Sequence, residues 1–374
     1  MKKTFKIISY ILFALVLFSL GFAAVRYFDE IRTMSSLKPI EGTDLYTMEF
    51  FSDYHFDEFL ETGANSNIEY YDYVNKVVDN SVSIGAAASS SNIDACSAFT
   101  FKDSSGYRYM ARNYDYRTNP VMLLVTSPDD AYKSISTVNL NCLGFNSENL
   151  PNMLDFRLFG APYFPTDGVN EKGISVSLLQ VNFSRKQKEQ DKTTIGIYAA
   201  VRLILDHADT VDKAVELLEE YNIYFDSSLM AHLFVADSKG NSELIEFVDG
   251  KTHVIENFEP FQIASNFNCT EEEFDEDGYV YPQEYSKWLR NSGGISAYDS
   301  EYSAYVRYDF MRDTLYNSSG ILSMDDAFKL LENVASPSNL QYSVVYNMTD
   351  LRATVITDND WEKRTTAALS RVKG

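Results

Sequence analysis

A cysteine, an arginine and an aspartate lie at the two ends of a stretch that has the pattern of a β-hairpin. Residues 96–101 alternate in polarity, residues 102–106 have turn chemistry, and residues 107–113 favour a second strand. A hairpin returns the chain to its start, so Cys96 is expected close to Arg112 and Asp115. A nearby cation lowers the pKa of a thiol, and a carboxylate can hold an amine. The same residues also fit a buried strand cysteine beside an ion pair, so both interpretations stay open.

The elements that must position this hairpin are further strands and a few helices. Alternation and turn residues predict strands at 173–181, 233–237, 243–248, 253–255, 261–265, 342–346 and 352–357. Apolar density predicts a helix at 193–207, and two more helices are capped by Thr210 and by Ser323, the latter running to Asn333. Because strand–helix–strand repeats are missing from this order, the pattern favours an α+β fold with helices packed on antiparallel sheets.

Composition and charge exclude several classes of function. The chain has 374 residues and a formal net charge of −22, so no basic surface is expected for a nucleic acid. The cysteines and histidines are far apart in sequence and form no CxxC or HExxH spacing, so a compact zinc motif is not expected. Cys142 and Cys269 have the option of forming a disulfide, and three separate thiols fit the sequence equally well.

The N-terminus predicts export. Lysines at positions 2, 3 and 6 precede an uncharged run at 7–25, which as a helix would span ~28 Å and reach across a bilayer core. An uncleaved membrane anchor and a signal peptide cleaved after Ala23 are both compatible with this run. In either case we expect residues 1–25 to direct the rest of the chain out of the cytoplasm, either secreted or anchored to the membrane.

Residues 26–95 differ from the part that follows. They contain acidic, aromatic stretches with a helix-like pattern at 48–51, 56–60 and 70–74, and they end in a run of small residues typical of an accessible connector. The chain therefore divides into residues 1–25, residues 26–95 and a larger domain at 96–374.

The motifs of the larger domain resemble those of the choloylglycine hydrolase and penicillin V acylase family, within the N-terminal-nucleophile (Ntn) hydrolases. That family has an arginine sixteen residues after its nucleophilic cysteine and an aspartate nineteen residues after it, as Cys96, Arg112 and Asp115 are placed here. The segment 167–174 is similar to the family motif D-G-x-N-E-K-G-L, and 264–267 resembles its oxyanion-hole segment. The resemblance covers roughly residues 96–356. The layout is closest to the penicillin acyltransferase and acid-ceramidase-like branch.

This resemblance implies a four-layer αββα sandwich of two antiparallel sheets between helices, and roles for individual residues. Cys96 would be the nucleophile and its α-amine the base, with Arg112 positioning the thiolate and Asp115 orienting the amine. The oxyanion would be stabilised by Asn266 and by the backbone amide of Gln180, which stands where the bile-salt branch has asparagine. The family's later arginine aligns with Ala304, so Arg307, three residues on, is either its substitute or a structural residue.

The resemblance also implies activation by self-cleavage of the Ala95–Cys96 bond, which makes 26–95 a pro-segment. The expected activity is hydrolysis of linear, non-peptide amide C–N bonds in small N-acyl substrates such as conjugated bile salts, penicillin V or N-acyl lipids. Alternatives are an acyltransferase that uses the same acyl-enzyme, and a catalytically inactive extracellular binding protein. No metal and no organic cofactor is implied. The expected partners are the substrate, a membrane if residues 7–25 are retained, and a second copy of the chain if it forms a homo-oligomer.

Overall fold

The computed structural model describes residues 25–78, 84–85, 96–116, 120–181, 183–226, 229–257, 260–271 and 303–369, with five isolated positions before residue 25. The helices within these ranges are α1 (Phe28–Ser35), α2 (Phe56–Thr62), α3 (Asn67–Val77), α4 (Ile197–His207), α5 (Val211–Glu219), α6 (Ser303–Asn317) and α7 (Met324–Val334). Short 3₁₀ helices lie at Leu140–Leu143, Phe156–Tyr163 and Cys269–Glu271.

The strands of the described residues are β1 (Lys38–Pro39), β2 (Leu45–Phe50), β3 (Ser97–Lys102), β4 (Arg108–Asp115), β5 (Val121–Thr126), β6 (Ser134–Asn139), β7 (Pro165–Asn170), β8 (Ile174–Gln180), β9 (Thr194–Gly196), β10 (Asn222–Tyr224), β11 (Ala231–Asp237), β12 (Ser242–Val248), β13 (Lys251–Glu256), β14 (Ile263–Ala264), β15 (Leu340–Asn347), β16 (Arg352–Thr357) and β17 (Thr365–Ala368).

Two large sheets contain nearly all of these strands. The first has nine strands in the order β1-β2-β5-β6-β7-β8-β11-β12-β13, and the second has six in the order β14-β3-β4-β15-β16-β17. Within these two sheets, neighbouring strands are antiparallel except β2 and β5, which run parallel. The expectation of two purely antiparallel sheets is therefore wrong at this one pair, because β2 reaches the sheet from the segment that precedes Cys96.

The sheets and helices form four layers with three apolar interfaces. One core cluster lies between the nine-stranded sheet and helices α2 to α5, and another lies between the six-stranded sheet and helices α6 and α7. The third lies between the sheets and contains Cys96, Met110, Leu179, Phe234 and Val344. The side chains of a strand alternate between its two faces. Residues 96, 98, 110, 112 and 114 therefore face the inter-sheet layer, and their odd-numbered neighbours face the helices.

The segment before Cys96 is part of the same core rather than a separate unit. Strand β2 lies within the nine-stranded sheet, and Phe59 and Tyr70 of α2 and α3 are fully or almost fully buried in its helix-side cluster. The hydroxyl of Tyr54 donates to both carboxylate oxygens of Asp206 at 2.8 and 2.9 Å. Asp206 also pairs with the buried Arg202 on the same helix, at 2.9 Å.

Several local predictions are confirmed, and two are wrong. The side chains of Thr210 and Ser323 cap α5 and α7 as expected, and the hairpin that follows Cys96 forms as β3 and β4. Residues 48–51, predicted to be helix-like, lie mainly in strand β2, because pairing with β5 outweighs local propensity. The helix predicted from residue 193 begins at Ile197, since residues 194–196 pair with β10.

Most of the predicted export segment at 7–25 lies outside the described residues. Within the described part of the chain, no helix combines the length and the apolar character needed to cross a membrane. The optional disulfide is not formed: Cys142 packs on the helix side of the nine-stranded sheet, whereas Cys269 packs against the inter-sheet layer.

Candidate active site

Cys96 begins the first strand of the predicted hairpin and lies between the two sheets. It directly precedes β3, and its exposed fraction is 2%. The register of β3 and β4 pairs Ser97 with Asn113 and Ala98 with Arg112. The sulfur is therefore on the same face as the guanidinium, and Nη2 of Arg112 lies 3.8 Å from Sγ of Cys96. The predicted approach of thiol and arginine is present in the structure.

Asn266 connects the backbone of Cys96 to two other parts of the fold. Its Oδ1 accepts a hydrogen bond from the Cys96 backbone N–H at 2.6 Å and another from Nη2 of Arg307 at 2.8 Å. Its Nδ2 donates to the carbonyl oxygen of Gln180 at 2.7 Å. An amide N–H retained on Nδ2 after that bond is a donor beside the nucleophile, as an oxyanion hole requires.

The backbone of Gln180 lies beside Asn266. The Val181 N–H donates to Met230 across the β8–β11 pair at 2.9 Å. Since hydrogen-bonding direction alternates along an antiparallel strand, the N–H and carbonyl of Gln180 point away from β11, towards the side where Asn266 lies. The predicted oxyanion role of the Gln180 amide is compatible with this direction and stays a prediction.

Arg112 is fully buried and is held by acceptors from two neighbouring strands. Nη1 donates to the Thr166 carbonyl at 2.8 Å and to the carboxylate of Asp167, and Nη2 donates to the Leu178 carbonyl. Burial alone would lower the pKa of Arg112, but the nearby oxygens of Tyr342 and Asp167 raise the pKa above its usual value. The guanidinium therefore stays charged beside the thiol, where it favours the thiolate.

Asp167 is a site residue to which the sequence reasoning gave no role. Its buried carboxylate accepts hydrogen bonds from Arg112, from Thr137 and from the hydroxyls of Tyr342 and Tyr346. Burial, followed by the charge of Asp167, raises the pKa of both tyrosines well above 10, so both remain neutral donors. The motif D-G-x-N-E-K-G contained this residue, but its two tyrosine partners come from strand β15, far along the chain.

The other members of this motif build the scaffold. A Cβ at Gly168 would lie 2.7 Å from the Ile135 carbonyl oxygen, so only glycine lets β7 and β6 approach this closely. Asn170 accepts from the backbone N–H groups of Lys172 and Ile174 and donates to the carbonyls of Leu205 and Ala208 at the end of α4. The motif thus fixes β7, β8 and α4, and with them Asp167.

Arg307 lies at the site through contacts with the residues around Cys96. It is 1% exposed on α6, and its Nε donates to Ser97 Oγ at 3.2 Å. Its Nη2 donates to Asn266, as described, and to Ser265 Oγ at 3.4 Å. Arg307 therefore fixes the segment that contains Asn266. Ala304, which the motif alignment placed at the family's arginine, lies about one turn earlier on the same helix.

Asp115 is placed on the other face of β4. It is fully buried, and its Oδ1 accepts from the backbone N–H of Ser336 at 2.9 Å, on the side of helix α7. Because side chains alternate along the strand, Asp115 and Arg112 leave β4 in opposite directions. The hairpin therefore brings thiol and guanidinium together on one face, and the predicted contact of Asp115 with the Cys96 amine stays a prediction.

The structure does not test the predicted cleavage site or the expectation about metal binding. Ala95 and residues 86–94 of the connector before it are outside the described residues. Across the described residues, no group of three or more His, Cys, Asp or Glu side chains is arranged to hold a metal ion.

Comparison with known proteins gives one family and several relatives. Residues 96–268, slightly less than half of the chain, match the family described as linear amide C–N hydrolases, choloylglycine hydrolase family. A penicillin V acylase of Pectobacterium atrosepticum is 26% identical over 187 residues, which is 46% of this chain and 49% of that protein. The chain therefore spans about half the length of the curated relative that it matches.

Two solved structures are among those similar to this fold. A mutant of the conjugated bile acid hydrolase from Clostridium perfringens is 14% identical, with a TM-score of 0.49, over 73% of this chain and 92% of that chain. Penicillin V acylase from Agrobacterium tumefaciens is 18% identical, with a TM-score of 0.45, over 70% of this chain and 83% of that chain. The resemblance indicated by the sequence motifs is confirmed by the family match: residues 96–268 are similar to the choloylglycine hydrolase family of linear amide C–N hydrolases.

Proposed function

We propose that the chain is an N-terminal-cysteine hydrolase of linear amide C–N bonds. The observation that carries this proposal is the double contact of Cys96: its backbone nitrogen donates to Asn266 at 2.6 Å, and its sulfur lies 3.8 Å from the Arg112 guanidinium. A nucleophile with its own nitrogen held in place and a fixed cation beside its sulfur fits a mechanism in which that nitrogen becomes the base.

Activation requires cleavage of the Ala95–Cys96 peptide bond. The Cys96 thiol attacks the Ala95 carbonyl carbon, an S–C bond forms, and the C–N bond breaks as the nitrogen gains a proton. Water then hydrolyses this thioester, its oxygen going to Ala95 and a proton to the sulfur. The products are a carboxylate at Ala95 and a free α-amine at Cys96, whose unperturbed pKa of ~7.7–8 suits a base near neutral pH.

Turnover repeats this chemistry on a substrate amide. The Cys96 amine accepts the thiol proton as the sulfur attacks the acyl carbon, and it then donates this proton to the leaving amine. Water hydrolyses the acyl-enzyme to a carboxylic acid. The Nδ2 of Asn266 and the N–H of Gln180 are the donors proposed for the oxyanion. We propose that Asp115 orients the amine.

We propose small N-acyl amides as the substrates. The named relatives act on penicillin V and on conjugated bile acids, and both kinds of molecule join an acyl group to an amine through a linear amide. N-acyl lipids have the same bond and are included in the proposed class. The apolar run at 7–25 supports an extracytoplasmic protein, secreted or anchored to a membrane, in which 26–95 is the pro-segment.

The test is the intact mass and N-terminal sequence of the purified full-length chain, beside two variants. Wild type should yield a fragment that begins Cys-Ser-Ala-Phe, and Cys96→Ala should stay uncut. Cys142→Ala removes a thiol on the far side of the nine-stranded sheet and should cleave like wild type. An uncut wild-type chain that hydrolyses neither penicillin V nor a glycine-conjugated bile salt would overturn the proposal and favour a binding protein on this fold.

A further inference from the structure

A buried carboxylate outside the catalytic set holds the chain just beyond Asn266. Glu246 lies on β12, faces the inter-sheet layer and has no exposed surface. It accepts hydrogen bonds from the backbone N–H of Cys269 at 2.7 Å and from the backbone N–H and hydroxyl of Thr270 at 2.9 and 2.5 Å. A buried carboxylate is costly unless its acceptor positions are filled, and these three donors fill them from one short segment.

His232 supports Glu246 from the adjacent strand. It lies opposite Glu246 in the register of β11 and β12, is fully buried, and places Nδ1 3.3 Å from Glu246 Oε1. Its other ring nitrogen, Nε2, is buried without a hydrogen-bond partner among the described residues. The Glu246 carboxylate is therefore the hydrogen-bond partner that the structure gives this buried imidazole.

The segment held by Glu246 is the one that presents Asn266. On one side of Asn266, the hydroxyl of Ser265 donates to the Ala304 carbonyl at 3.0 Å. On the other side, the ring of Phe267 stacks on Tyr305 with centroids 4.8 Å apart. Three residues after Asn266, the backbone N–H of Cys269 attaches the segment to Glu246 and so to the nine-stranded sheet. Asn266 must meet both Cys96 of one sheet and Gln180 of the other, so its segment needs a fixed point on each sheet.

We infer that Glu246, supported by His232, is a positioning residue that sets where Asn266 meets Cys96. This inference rests on the proposed function only where it predicts a change in the rate of substrate hydrolysis. The geometric statement, that loss of the Glu246 carboxylate loosens the bond between Asn266 and the nitrogen of residue 96, holds for the uncut chain as well.

The charge of Glu246 is part of this role. Burial raises its pKa, but the bonds from His232 and Thr270 outweigh burial and hold the pKa below its usual value. The titratable groups that face it are His232 from β11, His253 opposite on β13 and the thiol of Cys269, which in turn lies against Tyr308 of α6. Since the pKa is depressed, the carboxylate is present at neutral pH and is lost only as the pH falls through that lowered value.

The first test uses hydrogen exchange and needs no activity. In the uncut Cys96→Ala chain, adding Glu246→Gln should speed exchange of the residue 96 amide and of residues 265–270 at least tenfold. The matched control is Glu243→Gln, a half-buried carboxylate three residues earlier on the same strand and on its opposite face, which should leave these amides unchanged. Thr270→Val, which removes one of the bonds, is the milder second variant and should give a smaller change in the same direction. Equal exchange in all chains would overturn the inference.

The second test separates positioning from stability. In the otherwise wild-type chain, Glu246→Gln should lower kcat on penicillin V roughly 10- to 100-fold, with KM within about threefold, because a displaced donor weakens transition-state binding. His232→Gln removes the imidazole, whose charge helps to lower the pKa of Glu246, so the acid limb of its kcat profile should move to higher pH. A lowered Tm with kcat and the acid limb unchanged would make both residues structural and would overturn the inference. Inactive wild type with altered exchange in Glu246→Gln would refute the proposed function alone.

Discussion

Replacing Asp167 by Asn tests whether one buried ion pair holds the candidate site together. The carboxylate and its partner Arg112 are both fully buried, and the same carboxylate accepts from Thr137, Tyr342 and Tyr346. Asparagine has nearly the same shape but no charge and only one acceptor oxygen. The variant therefore leaves a buried guanidinium without its counter-charge and at least one donor without an acceptor.

The expected loss of stability is set by the charge of Arg112, which stays buried without its partner. Removing one partner of a buried ion pair typically destabilises a protein by about 3–5 kcal/mol, whereas a lost neutral hydrogen bond costs about 1 kcal/mol. The first effect dominates, so we expect Asp167→Asn to lower the free energy of unfolding by about 3–5 kcal/mol. Cleavage at Ala95–Cys96 should also slow by at least an order of magnitude, because Arg112 loses the acceptor that aims it at the sulfur.

The assay is urea unfolding in the uncut Cys96→Ala background, together with cleavage rates in the otherwise wild-type chain. Asp206→Asn is the matched control, since Asp206 is also buried, pairs with a buried arginine and accepts from a tyrosine. Burial raises the pKa of Asp206, so its ionised form is less stabilising and its loss should cost less, with cleavage unaffected. A cost below about 1 kcal/mol for Asp167→Asn would refute the reasoning, because the buried pair would then not support the site.

Two further predictions concern the scaffold. Asn170→Ala removes two hydrogen bonds to the end of α4 and two within the β7–β8 turn. Urea unfolding should therefore show a loss of about 2–4 kcal/mol, while mass spectrometry shows normal cleavage. Slower cleavage without loss of stability would contradict this structural role. After cleavage, the fragment that ends at Ala95 should co-elute with the 96–374 fragment in native size-exclusion chromatography and separate only in urea. The reason is that β2 is hydrogen-bonded into the nine-stranded sheet. Separation of the two fragments in buffer without urea would contradict this expectation.

The features that could be read from the sequence are those set by local pattern. The hairpin after Cys96 follows from alternation and turn residues, and the caps at Thr210 and Ser323 follow from hydroxyl residues that precede apolar periodicity. The approach of Arg112 to Cys96 follows from the same hairpin, because residues on paired strands share a face.

The features that escaped prediction depend on distant parts of the chain. Tyr342 and Tyr346 meet Asp167 across a separation of 175 and 179 residues, and nothing local indicates that contact. Residues 48–51 have the composition of a helix, yet they lie mainly in a strand because they pair with β5. Asp115 was grouped with Arg112 by spacing, whereas the alternation of strand faces separates their side chains.

The parallel pairing of β2 with β5 protects the chain from aggregation during folding. Strand β5, Val121–Thr126, carries no charge and is apolar at five of its six positions. If the sheet began at β5, its open side would be an uncharged template for pairing with other molecules, which is the usual start of aggregation. Strand β2 covers that side, and the outermost strand, Lys38–Pro39, is short and places a lysine and a proline at the new edge. The segment before Cys96 is thus a cover against self-association, and a chain that begins at Cys96 is expected to aggregate when expressed alone.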